Sequence, residues 1–125
     1  MNPYARPQAY REASVMTASP EQLVVMLYDG AGRFLRQAEA AMTGGTWLQA
    51  SEKLSRAEAI IDELLATLDI DAGEIAERLQ AIYVFSKTRL IEARLERDPE
   101  RVDQVARLLA ELRGAWATVQ PPAAA

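Results

Sequence analysis

Residues 47–68 read WLQASEKLSRAEAIIDELLATL, and the apolar positions Trp47, Ala50, Leu54, Ala57, Ile61, Leu64 and Leu68 follow one another at steps of three and four without a break. An α-helix completes a turn in about 3.6 residues, so this alternation lays one straight seam along one helix face. A strand would need a period of two. Ile60 and Leu65 lie beside the seam and widen the apolar surface beyond what a single neighbouring helix covers. The segment therefore belongs in a bundle.

Upstream, Gly44-Gly45 stops a first helix that begins at Ser19-Pro20-Glu21-Gln22. There the serine can cap the free amides, proline suits the first helical position, and Gln22 completes a capping box. Its seam is read as Leu23, Leu27, Ala31 (or Gly30), Phe34, Ala38 and Ala41. Downstream, Asp69-Ile70-Asp71-Ala72-Gly73 is a turn. A third helix follows with Ile75, Leu79, Ile82, Ser86, Leu90 and Ala93, its face broadened by Tyr83, Val84 and Phe85. Asp98-Pro99 opens a fourth, with Val102, Val105, Leu109, Leu112, Trp116 and Val119, and Pro121-Pro122 ends it. Phe34, Trp47 and Trp116 are read as core. The expected fold is all-α, an antiparallel up-down four-helix bundle over residues 19–120. Residues 1–18, with Pro3, Pro7, Tyr4 and Tyr10, read as a partly mobile arm with at most a short helix around Gln8 to Met16, and 121–125 as a disordered tail.

Composition narrows the function. The chain has 125 residues, half of them hydrophobic, enough for one core, and a net charge of -4 with no long run of like charge. No basic stripe is present to neutralise phosphates, so a nucleic-acid partner is not expected. Cysteine and histidine are both absent, which removes disulfides, thiolate nucleophiles, imidazole bases and the usual zinc and haem ligands. No apolar run approaches the ~18 residues of a membrane span, and MNPYARPQAY lacks the apolar segment of a secretory signal, so a cytoplasmic protein without membrane insertion is expected.

Little suggests catalysis. Glu58 with Asp62 and Glu92 with Glu96 stand four apart on helix faces, but neither pair lies on a seam and each has basic neighbours, so solvated surface charge is the reading. Metal-assisted hydrolysis through Asp29, Glu58 or Asp62 has no further residue to support it. Gly30-Ala31-Gly32 and Gly44-Gly45 follow no strand and are not phosphate loops. No enzyme and no cofactor are expected. Apolar residues outside the seams, Ile60, Leu65, Val84, Phe85 and Leu108, are instead candidates to bind a partner, as are Tyr4 and Tyr10 in the arm. A module that only self-associates, a homodimer of bundles without a client, is the alternative.

Asn2-Pro3-Tyr4 with Tyr10, the stretch Val15-Met16-Thr17-Ala18-Ser19-Pro20-Glu21-Gln22-Leu23, and Met26-Leu27-Tyr28-Asp29-Gly30-Ala31 resemble the flagellar secretion chaperone FliS family. So do Ala57-Glu58-Ala59-Ile60-Ile61-Asp62-Glu63-Leu64 and Arg113-Gly114-Ala115-Trp116. The resemblance implies an antiparallel bundle that binds the disordered C-terminal segment of flagellin in the cytoplasm, keeps it from polymerising early and delivers it to the flagellar export apparatus. It further implies a client that wraps the bundle in a mostly extended path with short helices, and an N-terminal arm that can occupy part of the same surface. By position Tyr4, Tyr10, Val15 and Met16 belong to that arm, and residues 1–18 are expected to compete with the client. The family commonly has a longer tail after the fourth helix than Pro121-Pro122-Ala123-Ala124-Ala125.

Overall fold

The structure, a computed structural model, describes residues 18–119, with side chains as far as Trp116. Its elements are α1 (Pro20–Thr43), α2 (Trp47–Ala66), a single 3₁₀ turn at Ile70–Ala72, α3 (Glu74–Glu96) and α4 (Pro99–Val119), with no strand among the described residues. They form an up-down-up-down antiparallel bundle. α1 lies closest to α2 and α4, and α3 closes the ring between α2 and α4 at wider spacing.

The caps are those the sequence specifies. Gln22 donates its backbone N–H to Ser19 Oγ at 3.1 Å, while Ser19 N–H donates to Gln22 Oε1 at 2.8 Å. Asp98 Oδ1 accepts from Glu100 N–H at 3.0 Å ahead of α4, and Asp69 Oδ1 accepts from Asp71 N–H at 3.1 Å in the turn. Each such cap contributes about 1 kcal/mol.

Small residues explain the unequal spacing. Gly30, Ala31, Ala38 and Ala41 of α1 and Ala50 and Ala57 of α2 are buried, so those two backbones approach closely. Tyr83 of α3 is also buried and holds that helix further away. Leu35, Leu54, Ile61, Leu64, Leu90, Val102, Val105 and Leu109 fill the centre and are almost wholly buried. Each contributes roughly 1.5–3 kcal/mol of transfer free energy. Buried Ser86 satisfies its hydroxyl by donating to Ile82 O at 2.9 Å.

Four expectations need correction. In α1 Tyr28 and Leu35 are buried in place of their neighbours Leu27 and Phe34, which are only partly buried. Ile75 is 75% exposed, because the first turn of α3 runs past the core. Trp47 and Trp116 are partly buried at the bundle ends and not central. The Arg97 guanidinium stacks 4.5 Å from the Trp47 ring centre, and Trp116 Nε1 donates to Glu21 O at 3.4 Å. Tyr83, read as broadening a face, is core.

Ion pairs set the register between helices. Arg94 of α3 reaches α2, donating to Ser51 Oγ and to Glu58 Oε1, both at 2.6 Å, and Lys87 pairs with Asp62. Arg113 of α4 meets Asp29 of α1 at 3.0 Å. Arg36 donates to Asp103 at 2.6 Å, and that hydrogen bond holds the Asp103 carboxyl below its ordinary range. Pairs this exposed contribute about 0–1 kcal/mol each, so they align the helices more than they stabilise them.

Gly32 sits inside α1 with nothing within 4 Å of where a Cβ would stand. Gly32→Ala is therefore expected to raise the unfolding free energy by about 0.5–1 kcal/mol, read as a higher urea midpoint at unchanged slope.

Candidate partner-binding site

α3 is apolar on two opposite sides. Its inner face carries Tyr83, Ser86, Leu90 and Ala93, all buried. On its outer face Ala81, Val84, Thr88, Ile91 and Leu95 recur at steps of three and four, and all five are exposed. Val84 and Ile91 are each 51% exposed and Leu95 is 79% exposed. Thr88 donates its hydroxyl to Val84 O at 3.1 Å, which leaves its methyl free to pack and makes the stripe apolar throughout. A helix needs one seam to join a bundle; the second has no use within the described fold.

The stripe has charged borders. On the α2 side stand Lys87 and Arg94, paired with Asp62 and Glu58. On the α4 side stand Glu92 and Glu96, both held by Arg101 at 2.6 and 2.8 Å. Phe85 lies on this side, 49% exposed, with the Arg89 guanidinium 5.0 Å from its ring centre. The borders keep the strip narrow.

A second apolar feature lies at the end of the bundle where α1 begins. Leu23, Val24, Leu68, Leu79, Tyr83 and Trp116 line a cleft of about 350 Å³. Tyr83 of this lining is hydrogen-bonded through its hydroxyl to the hydroxyl of Tyr28 in the core, their ring centres 6.3 Å apart. Burial pushes both phenols above their ordinary range, Tyr83 further because the bond from Tyr28 adds to the effect.

The candidates from sequence divide into three groups. Val84 and Phe85 are exposed on α3. Ile60 and Leu65 pack partly on the core from α2, Ile60 against Gly30, and Leu108 is partly buried on α4. Tyr4, Tyr10, Val15 and Met16, and with them the arm expected to compete with a client, lie outside the described residues, as does the 121–125 tail. Sequence reasoning misses Ile91 and Leu95. Their signal is the outer seam itself, hidden because the inner one already accounts for a helix.

Glu58, Asp62 and Asp29 each face a basic partner from another helix. No three acidic side chains among the described residues are grouped to hold a metal ion. None of the described helices is long and apolar enough to cross a membrane.

A bundle of this shape has been solved before. The crystal structure of a flagellar chaperone from bacteria superposes with a TM-score of 0.74 over 90% of this chain and 95% of its own, at 19% identity, which defines the fold as that of a flagellar chaperone. Sequence carries the assignment further. The model of the family "Flagellar protein FliS" matches residues 1–123. The flagellar secretion chaperone FliS of Salmonella typhimurium is 40% identical over 114 residues, 90% of this chain and 84% of the relative. That of Vibrio cholerae is 35% identical over 119 residues, 91% and 88% of the two chains. That of Bacillus subtilis is 34% identical over 115 residues, 92% and 84%. The chain belongs to the FliS family of flagellar secretion chaperones.

Proposed function

We propose that this protein works in the cytoplasm, holds the disordered C-terminal segment of flagellin so that it does not polymerise early, and hands it to the flagellar export apparatus without catalysing a reaction. The observation that carries this reading is the apolar outer face of α3, where Val84, Ile91 and Leu95 stay exposed, with Phe85 exposed on its α4 border. An extended or partly helical client can lay alternate apolar side chains along such a strip and order as it does so. The 1–18 arm would compete for part of the same surface.

Calorimetric titration of the full chain with a C-terminal flagellin peptide tests the reading. A saturable one-to-one complex with a negative heat-capacity change is the expected result. Val84→Glu is expected to weaken it at least ~10-fold, since a carboxylate would enter a desolvated contact. Absence of binding at high micromolar peptide overturns the assignment of this client.

A further inference from the structure

We infer that the face shared by α1 and α2 binds an acidic peptide segment of another protein, through Arg33, Lys53 and Arg56. The helix register brings these cations together. Gly30 of α1 lies against Ile60 of α2, and Gln37 lines one cleft with Lys53, so Arg33, a turn before Gln37, stands level with Arg56, a turn after Lys53. Lys53 and Arg56 both lie over the Phe34 ring, 5.6 and 5.8 Å from its centre. Two helices supply the patch, so no run of like charge announces it in the sequence.

These charges are not answered within the bundle. Among the described residues Arg33 and Lys53 have no carboxylate partner, and Arg56 has Glu52 at 3.7 Å, with both side chains well exposed. A pair this long and this exposed leaves the Arg56 charge largely open. Glu39 and Glu58 turn away from the patch to Arg36 and Arg94. The other described cations each hold a carboxylate, except Arg97, which stacks on Trp47. On a chain of net charge -4, the α1–α2 face is thus locally positive.

Room for a peptide main chain lies alongside. From Lys53 a cleft of about 490 Å³ runs past Gln37, Ala40 and Gln49 to Thr46, with two side-chain amides to hydrogen-bond a backbone. It ends where α2 starts, and there the first turn carries no acidic residue and the Thr46 side chain makes no capping bond. The partial positive charge of that helix end adds to the patch. Residues 1–17 do not suit it, because Arg6 and Arg11 outweigh Glu12. Three cations are also few beside the roughly 6–10 phosphate contacts of a nucleic-acid site. A carboxylate-bearing peptide fits both the charge and the cleft. The surface is separate from the outer face of α3, so the inference does not rest on the client assigned above.

Titration of the isotope-labelled full chain with end-blocked hexaglutamate, followed by amide shifts in nuclear magnetic resonance, tests the inference. Saturable shifts centred on residues 33–37 and 46–56 are expected, with a dissociation constant of roughly 0.1–1 mM, at least ~3-fold weaker when salt is raised from about 50 to about 300 mM. Hexaglutamine should cause none. Arg33→Gln combined with Lys53→Gln is expected to weaken binding at least ~10-fold with unchanged far-ultraviolet circular dichroism. Arg78→Gln combined with Arg107→Gln removes the same charge from α3 and α4 and should weaken it less than ~2-fold. Equal weakening by the two double variants would reduce the effect to net charge and overturn the proposal. Three other results also overturn it: no shifts with hexaglutamate, tighter binding of a short oligouridine, or the same shifts on concentrating the chain alone, which would mark a second copy as the occupant.

Discussion

Leu54→Ala is expected to lower the unfolding free energy by about 3–5 kcal/mol. Leu54 is wholly buried at the middle of the α2 seam, among core residues of the bundle. Truncation removes its transfer free energy and leaves a void that close-packed helices cannot collapse into. Against the ~5–15 kcal/mol typical of a domain, that loss leaves the variant marginal at body temperature. The fitting control is Leu48→Ala, a substitution one face away at an exposed leucine, for which a change within about 0.5 kcal/mol is expected. Urea denaturation of both, compared at equal slope, measures the difference. Equal effects would mean that the seam of α2 is not the centre of the bundle.

Tyr83→Phe is expected to cost about 1–3 kcal/mol, although it removes a single oxygen. The loss comes from Tyr28, whose buried hydroxyl keeps its desolvation and loses its bonded neighbour. The double variant Tyr28→Phe with Tyr83→Phe should therefore cost less than the sum of the two single ones. Strict additivity would show that the two hydroxyls do not act together.

The same pair sets an alkaline limit. Both phenols have folded-state values raised above that of the unfolded chain, chiefly by burial. Their contribution is complete below about pH 10, the unfolded value, and is lost as pH rises toward the folded one. The expected slope is up to about 1.4 kcal/mol per pH unit for each tyrosine. The double phenylalanine variant should lack this decline.

How far the sequence can be read depends on how many registers it allows. In α2 the residues flanking Ala50, Leu54, Ala57, Ile61 and Leu64 are mostly polar, so the seam has one solution and all five are buried. In α1 the adjacent pairs Leu27-Tyr28 and Phe34-Leu35 satisfy the same spacing in two ways. What selects Tyr28 and Leu35 is the direction from which α2, α3 and α4 arrive, and the partner that Tyr28 finds in Tyr83, 55 residues away. Neither is local. The candidate site shows the same limit. Val84 and Phe85 stand out as surplus beside a seam, yet α3 carries two complete seams, and only the placement of α2 and α4 decides which faces outward. The interhelical pairs Asp29–Arg113 and Glu58–Arg94 are likewise invisible in the sequence, since their members are far apart along the chain.

The bundle also carries its own optical reporters. Trp47 stands where α2 starts and α3 ends, under the Arg97 cation, whereas Trp116 sits at the opposite end, bonded to the start of α1. With no third tryptophan in the chain, replacing either one by phenylalanine leaves emission from a single pole of the molecule. Fraying at the two poles can then be timed separately in a stopped-flow trace, without attaching any dye.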